Sequence, residues 1–231
     1  MQDQRQRRTQ AERSATTRQS LLDATITVLH EHGYGATTTI MVAEQAGISR
    51  GAMLHQFRTK ADLMTFVVEE VYALEVEQYH KILEGTANRR ERLLAYPDAA
   101  WKVLSQPSGV AVLEILQGSR SDAVLAEKLR PIQEKIEADS MRHLEEEMGQ
   151  APSRQLLRLI VWAVRGLSIA NVLASEREFA LESIQLLRIL IETGMNAGLF
   201  KSEAAPANPE AAPAKPKATP AKRAKPTKAT T

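Results

Sequence analysis

The feature that most limits how this chain can fold is a glycine, Gly47, between two segments that each have room for only a short helix. Glycine readily adopts the positive φ that a tight turn after a helix requires. Ser49 follows it, and a serine here can cap the next helix by accepting a hydrogen bond from a backbone amide. The pattern predicts one helix over 40–46, a turn at Gly47 and a second helix that ends near Phe57.

Longer helices are predicted on both sides of this pair. Before it, apolar residues recur with helical spacing from Arg18 until Gly33 stops the first helix. Thr39 is the predicted N-cap of the second helix. After the pair, Thr59 with Asp62 three residues later resembles a capping box, so we expect a long fourth helix to begin there.

The chain is predicted to remain helical as far as residue 200. Apolar residues continue at helical spacing, and no stretch alternates with period two for long enough to indicate a strand. Pro97 and Pro131 fall inside two of the helical windows, so we expect those helices to be kinked or split there. The sequence therefore predicts an all-α protein of about nine helices.

Charge is distributed unevenly along the chain. Residues 1–20 carry a net charge of +3 and residues 201–231 a net charge of +5, so the segment between them carries −6 of the overall +2. Basic ends on an acidic body indicate either a polyanionic partner or a device for solubility. The last segment is rich in Ala, Pro, Lys and Thr, has almost no bulky apolar side chain and is predicted to be disordered.

Composition and motifs exclude several classes of function. The chain has no cysteine, so disulfides, thiol nucleophiles and thiolate metal sites are ruled out. It contains no phosphate loop, dinucleotide fingerprint or nucleophile elbow, and its histidines lack metal-ligand spacing. We therefore predict no enzymatic activity, no catalytic residue, no metal site and no cofactor.

The longest apolar run, over 156–175, does not have the composition of a membrane span. It contains Arg158, Arg165 and Asn171, which are costly in hydrocarbon. The run is better interpreted as a helix buried in protein. The polar start of the chain has no secretory signal, and we expect a cytoplasmic protein.

Two short helices joined by a tight turn form the arrangement whose second helix enters the major groove of DNA. On a helical wheel Met53 and Phe57 face inward, whereas the small residues Gly51 and Ala52 face outward. Small residues let the backbone approach base edges closely. An exposed turn of helix with no role in DNA binding produces the same pattern, so the flanking residues decide between the two interpretations.

The residues around the short helices resemble the DNA-binding region of the TetR/AcrR family of bacterial transcriptional regulators. The resemblance is specific over 18–63, and the stretch 111–133 is similar to a recurrent segment in the ligand-binding half of some members. The matching elements are, in order, Arg18, Leu21, Leu22, Ala24, Leu29, Gly33, the threonines before the second helix, AEQAGISRGAMLHQF and TKADL.

The resemblance implies a division of the chain into four parts. A helix-turn-helix DNA-binding domain is followed by a helical domain that binds an effector and forms a homodimer. The implied parts are a basic N-terminal arm over 1–15, the DNA-binding domain over 16–62, the effector-binding and dimerisation domain over 63–200, and a basic tail over 201–231.

The resemblance also carries over DNA-contacting roles. Arg50, Gly51 and Ala52 match base-facing positions, and Arg50 is the candidate for a bidentate contact to guanine. Leu54 stands where many relatives have a tyrosine that contacts phosphate, so His55 becomes the candidate for that contact. The predicted DNA-binding residues are Thr38, Thr39, Ser49, Arg50, Gly51, Ala52, His55, Gln56 and Lys60.

A dimer interface and a ligand pocket are expected in the second half. The small residues Ala163, Gly166, Ala170 and Ala174 form a strip that allows close helix approach, either at the interface or within one subunit. Arg165 indicates an anionic ligand or pairing with a buried carboxylate such as that of Glu114. The expected pocket residues are Trp101, Leu113, Gln117, Met141, Trp162 and Arg165.

Together these expectations predict a homodimeric DNA-binding transcriptional regulator, a repressor that a small molecule releases from its operator. The alternative is an architectural or nucleoid-associated protein whose basic tail does most of the DNA binding, as in some histone-like proteins. The two differ in selectivity, since a regulator prefers its operator to random DNA by about 10³-fold or more and tail-driven binding shows little preference.

Overall fold

The computed structural model describes residues 10–148, 153–173 and 179–200. The predictions for the basic tail, for Ala174 and for the first nine residues of the basic arm lie outside these ranges. The described part contains nine α-helices and no strand, as predicted. The helices are α1 (Gln10–Ala36), α2 (Thr39–Gln45), α3 (Arg50–Gln56), α4 (Lys60–Leu83), α5 (Arg89–Leu104), α6 (Pro107–Gly118), α7 (Ala123–Met148), α8 (Arg154–Leu173) and α9 (Phe179–Asn196).

Helix α1 is interrupted at Gly33, as the sequence predicts. Gly33 has φ 71° and ψ 170°, a backbone conformation that glycine adopts far more readily than other residues. One further turn of helix follows, and Thr37 closes it by donating from its amide (3.3 Å) and its hydroxyl (2.7 Å) to the Gly33 carbonyl. The break places Tyr34, which is buried, at the junction of α1 with the rest of the molecule.

The cap of α2 differs from the prediction by one residue. Thr38, not Thr39, is the N-cap, and its hydroxyl accepts a hydrogen bond from the Met41 amide at 3.2 Å. The reason is that Thr38 has an extended backbone (φ −123°, ψ 156°), whereas Thr39 is already helical. Three threonines in a row offer the same side chain to adjacent positions, so composition alone does not distinguish them.

The other predicted helix boundaries around this pair are confirmed. Gly47 has φ 65° in the turn between α2 and α3. Ser49 caps α3, its hydroxyl accepting from the Ala52 amide at 3.1 Å. Thr59 and Asp62 form the capping box of α4, with reciprocal side-chain to amide hydrogen bonds of 3.0 Å.

Neither proline splits its helix, so of the two expected outcomes, a kink or a split, the split does not occur. Pro97 lies within α5 and Pro131 within α7. Tyr96 and Ala99 beside Pro97 are buried, as is Leu129 before Pro131. Burial of these neighbours offsets the hydrogen bond that each proline cannot donate.

Buried apolar side chains form two cores. The first joins α1 to α4 with α6 and the beginning of α7. The second joins the end of α4 with α5, α8, α9 and the end of α7. The predicted domain boundary after residue 62 falls inside α4, which contributes to both cores. The helix-turn-helix therefore shares its core with α6 and α7.

Tyr34 connects α1 to three other elements. Its hydroxyl donates to Asp122 Oδ2 at 2.7 Å, and its amide donates to Glu114 Oε2 at 3.0 Å. Its carbonyl accepts from Lys60 Nζ at 2.6 Å, and the same ammonium lies 3.8 Å from the centre of the Tyr34 ring. Burial and the bond to Asp122 raise the pKa of Tyr34, and this bond lowers the pKa of Asp122.

The Tyr34 ring lies directly against Gly118, where a Cβ would overlap the ring carbons. We expect Gly118→Ala to lower the free energy of unfolding by about 1–3 kcal/mol, because the added methyl must displace a ring held by hydrogen bonds. Urea unfolding at one fixed protein concentration measures the change. Gly35→Ala is the matched control, since Gly35 is exposed and a Cβ there meets no atom within 4 Å. Equal stabilities for the two variants would contradict close packing at Gly118.

Candidate DNA interface and ligand cavity

Helix α3 has one exposed face and one buried face. Arg50, Gly51 and His55 are exposed, as is Leu54, whereas Met53 on the opposite side is 1% exposed. Arg50 and His55 form no hydrogen bond or ion pair with the described residues. The face that the sequence assigns to DNA is therefore accessible, with a basic residue at the helix N-terminus and small residues beside it.

The turn before α3 is held by backbone hydrogen bonds. The Gly47 amide donates to the Glu44 carbonyl at 3.1 Å, and the Ile48 amide donates to the Ala43 carbonyl at 3.0 Å. With the Ser49 cap, these bonds fix the angle between α2 and α3. A fixed angle is what allows one helix to enter a groove while the other stays outside it.

Aromatic packing fixes the far end of α3. The rings of Phe57 and Phe66 are 4.9 Å apart, and the Arg18 guanidinium lies 5.1 Å and 4.2 Å from their respective centres. Gln56 Nε2 donates to Ser14 Oγ in α1 at 3.3 Å. Arg18 is one of the residues that match the family in the sequence. In the structure it forms a cation–π interaction that joins α1, α3 and α4.

Four of the predicted DNA-binding side chains form contacts within the protein. The hydroxyls of Thr38 and Ser49 accept from backbone amides, Gln56 contacts Ser14, and Lys60 is bound to Tyr34. Thr39 and Ala52 are half-buried. Among the predicted DNA-binding residues on α3, those that are exposed are therefore Arg50, Gly51 and His55.

A cavity of about 180 Å³ lies between α4, α7 and α8, with further walls from α5 and α6. Its lining is mainly apolar and aromatic. Tyr79 and Tyr96 stack there with centres 5.2 Å apart and an interplanar angle of 7°. Tyr72 shares a hydrogen bond of 3.1 Å with Ser140 at the α7 wall. Small-molecule sites in proteins have this combination of apolar walls and few polar groups.

One charged pair lies in the wall of this cavity. Glu75 from α4 and Arg165 from α8 are both buried, with 4.0 Å between Arg165 Nη2 and Glu75 Oε1. Burial raises the pKa of Glu75, and the charge of Arg165 opposes that rise. Arg165 Nη1 also donates to the Gly109 carbonyl in α6 at 3.2 Å.

The structure changes the expected partner of Arg165. The partner is Glu75, whereas Glu114 accepts from the Tyr34 amide at the other end of α6. The sequence contained a signal for Glu75, which falls on the apolar stripe of α4 at helical spacing from Val68, Val71 and Tyr72. A glutamate within such a stripe needs a partner when it is buried.

Two of the six expected pocket residues, Trp162 and Arg165, line the cavity. The other four do not. Trp101 and Met141 pack against the second core, Leu113 is buried elsewhere, and Gln117 is exposed. The aromatic lining from α4 was missed because its tyrosines follow the same spacing as ordinary core residues.

Helices α8 and α9 carry large exposed apolar side chains. Trp162 is 54% exposed, and the small residues expected at an interface, Ala163, Gly166 and Ala170, are half-buried or exposed beside it. The other large apolar side chains exposed on these helices are Leu159, Ile169, Phe179, Leu181, Leu186, Ile189 and Leu190. Exposed apolar side chains in this number on two helices are typical of a protein interaction site.

Within the described ranges, no helix is both long and apolar enough to cross a membrane. In the same ranges, no group of three or more histidine, aspartate or glutamate side chains is arranged to hold a metal ion.

Comparison with known proteins agrees with this architecture. Residues 21–65 match the model of the tetR family of bacterial regulatory proteins. The HTH-type transcriptional regulator CymR of Pseudomonas putida is 30% identical over 184 residues, which cover 74% of this chain and 87% of that protein. The HTH-type transcriptional repressor KstR2 of Mycobacterium tuberculosis is 28% identical over 108 residues, covering 39% and 54%.

A solved structure shows the same fold. The TetR transcription regulator of Haloarcula marismortui superposes with a TM-score of 0.56 at 19% identity, over 79% of this chain and 98% of that one. The relatives are named as transcriptional regulators, not as enzymes. From its helix-turn-helix, its helical second half and its relatives, the chain belongs to the tetR family of bacterial regulatory proteins.

Proposed function

We propose that this chain is a homodimeric repressor that binds an operator through α3 and is released when a small molecule occupies the cavity between α4, α7 and α8. The observation that carries the proposal is a continuous connection between the two sites. Arg165 in the cavity wall binds the Gly109 carbonyl near the start of α6, and the end of α6 holds Tyr34 of α1.

DNA recognition in this proposal depends on the exposed face of α3. Arg50 is positioned to form a bidentate contact with guanine, and Gly51 allows the helix backbone to approach the bases. His55 is the candidate phosphate contact that follows Leu54. The amides at the start of α4 and the hydroxyls of Thr38 and Thr39 lie beside them and contribute contacts that position the protein.

Response to a ligand requires that the cavity be coupled to α3. Gly109 packs so closely on Leu104 of α5 that a Cβ would overlap the Leu104 backbone. Gly118 packs equally closely on Tyr34. Because α6 is closely packed at both ends, we expect it to shift as a unit. A ligand that moves Arg165 then changes the position of α1. This in turn changes the separation of the two α3 helices of a dimer.

The dimer is proposed from the exposed apolar faces of α8 and α9. Two such helices from each subunit can form a four-helix interface related by twofold symmetry. Gly166 in the middle of α8 allows close approach, since a Cβ there would meet no atom of its own subunit within 4 Å. A repressor role is supported by the name of one relative, KstR2.

The architectural alternative is not favoured by family membership, but the two functions differ in a measurable way. We expect the full chain at about 150 mM salt to bind DNA from upstream of its own gene in the nanomolar range and a scrambled duplex about 10³-fold more weakly. Fluorescence anisotropy measures both affinities. The control is a chain lacking 201–231, which should keep the preference while losing part of the salt dependence of nonspecific binding. The architectural function would be favoured if the protein bound the upstream DNA no more tightly than the scrambled duplex and if a genome-wide selection also enriched no sequence.

Arg50→Ala should reduce operator affinity by about 1–3 kcal/mol and leave affinity for scrambled DNA almost unchanged, because a base contact is lost. The matched control is Arg130→Ala, which removes the same charge from an exposed position on α7. Both affinities come from the same anisotropy titration. A loss of equal size on the two DNAs would mean that Arg50 contacts the backbone.

Leu190→Glu should convert the dimer to a monomer, because it places a charge in the proposed α8 and α9 interface. Operator affinity should fall by about 10²-fold or more, since the two half-sites are no longer bound together. Light scattering gives the mass and anisotropy gives the affinity. Val124→Glu is the control, because Val124 is 59% exposed on α7. A Leu190→Glu protein that remains dimeric would place the interface elsewhere.

A further inference from the structure

We propose that the cavity takes an uncharged aromatic molecule with one hydroxyl group, and that this hydroxyl lies between Glu75 and Arg165. The inference rests on the proposed function and adds the chemical class of the effector. It requires an apolar body that fits the tyrosine-lined wall and a single group that both donates and accepts a hydrogen bond. A simple phenol or a naphthol has these properties.

The polar requirement comes from Glu75. Among the described residues that line the cavity, Glu75 Oε1 is the buried side-chain oxygen with no hydrogen-bond partner. The Nη2 atom of Arg165 is 4.0 Å away, beyond hydrogen-bond distance. A buried acceptor without a donor is costly, so an incoming hydroxyl that donates to Glu75 gains free energy.

Arg165 supplies the second half of the match. Its Nη1 is already bound to the Gly109 carbonyl, and its Nη2 faces the same region as Glu75 Oε1. A hydroxyl oxygen near both groups donates its proton to the carboxylate and accepts from the guanidinium. A ligand group that can only donate forms a hydrogen bond with Glu75 but not with Arg165. A group that can only accept forms one with Arg165 but not with Glu75.

The pair also selects against charged ligands. The guanidinium of Arg165 and the carboxylate of Glu75 carry opposite charges, so the pair as a whole gives the polar end of the cavity no net charge. A cation or an anion placed beside the pair is attracted by one member and repelled by the other, so neither ion gains a net attraction. Either ion also loses its hydration on entering an apolar cavity. A neutral hydroxyl avoids this cost.

The remaining walls define the body of the ligand. Tyr72, Tyr79, Tyr96 and Trp162 present aromatic rings, which favour stacked or edge-on contact with another ring. Two other polar groups of the lining have partners within the protein: Tyr72 is bonded to Ser140, and His143 Nδ1 lies 2.8 Å from the Asp139 carbonyl. The volume of about 180 Å³ has room for at least one ring, because an apolar cavity of about 150 Å³ is known to hold benzene.

The test compares four probes with one skeleton: 2-naphthol, naphthalene, 2-naphthoate and 2-naphthylmethylammonium. Equilibrium dialysis against the full-length protein at pH 7 without DNA measures each affinity. We expect 2-naphthol to bind about tenfold or more tightly than any of the other three. Tighter binding of the carboxylate or the ammonium, equal binding of naphthalene, or no binding of 2-naphthol up to its solubility limit would overturn the proposal.

A variant separates recognition by Glu75 from a purely structural effect. Glu75→Gln removes the negative charge and leaves Arg165 without its counter-charge, so 2-naphthoate should gain about tenfold over its affinity for the unaltered protein. The advantage of 2-naphthol should disappear. Uniform weakening of all four probes would indicate damage to the cavity and would contradict the assigned role of Glu75. Glu77→Gln, on the exposed side of α4, is the matched control and should change no affinity.

Failure of this proposal is distinguishable from failure of the proposed function. Probe binding is measured without DNA, and operator affinity is measured separately with 2-naphthol at saturation. Tight binding of 2-naphthol without any change in operator affinity would support the assigned ligand class and refute ligand-controlled release. Release of DNA by 2-naphthoate but not by 2-naphthol would support the function and refute the ligand class.

Discussion

The packing of Tyr34 against Gly118 fixes where the helix-turn-helix sits on the rest of the protein. A flat ring lies where any side chain at residue 118 would be, and three hydrogen bonds hold the tyrosine from α4, α6 and the residue before α7. The conformation of Gly33 directs Tyr34 into this position. Because the first core continues from α1 into α6 and α7, the DNA-binding unit and the cavity-bearing unit are parts of one packed structure.

This arrangement uses basic and polar groups for internal structure near the DNA-binding face. Lys60 is held by the carbonyl and the ring of Tyr34, and burial lowers its pKa. Arg18 lies over two phenylalanine rings. Both cations match family positions in the sequence, yet their contacts here stabilise the junctions of α1 with α3 and α4. Arg50 is the cation left exposed at the start of α3, and the proposed function therefore assigns sequence recognition to this side chain and its small neighbours.

The sequence predicted the fold and the geometry of the helix-turn-helix well, because their signals are local. A positive-φ glycine at 47, a serine cap at 49 and a capping box at Thr59 each act within one helical turn. The N-cap of α2 at Thr38 instead of Thr39 also depends on local backbone conformation, but three adjacent threonines cannot be distinguished by residue type. The continuity of α7 through Pro131 depends on burial by other helices, which spacing along one chain does not report.

The cavity was predicted less well, because it is made by residues far apart in the sequence. Arg165 was recognised as unusual in an apolar helix, but Glu114 was the carboxylate named for it, and only the positions of α4 and α8 in the fold bring Glu75 to Arg165. Trp162, one of the expected pocket residues, lines the cavity and is also 54% exposed on the helix that carries Gly166. Its position between the cavity and the proposed dimer surface could be seen only once both helices had been placed.

A buried charged pair in a cavity wall is a poor way to stabilise a protein. Desolvation of Glu75 and Arg165 opposes their attraction, and apolar residues of similar volume are often as stable or more so. A distance of 4.0 Å leaves the two groups short of a direct hydrogen bond. The pair is better understood as a binding site that the hydroxyl of the proposed ligand completes. Arg165 also has a second contact. The guanidinium that faces Glu75 also holds the start of α6 through Gly109, and the far end of α6 holds Tyr34. In the proposed function, a ligand that draws Arg165 toward Glu75 would therefore act on a helix that touches both the cavity and the DNA-binding unit.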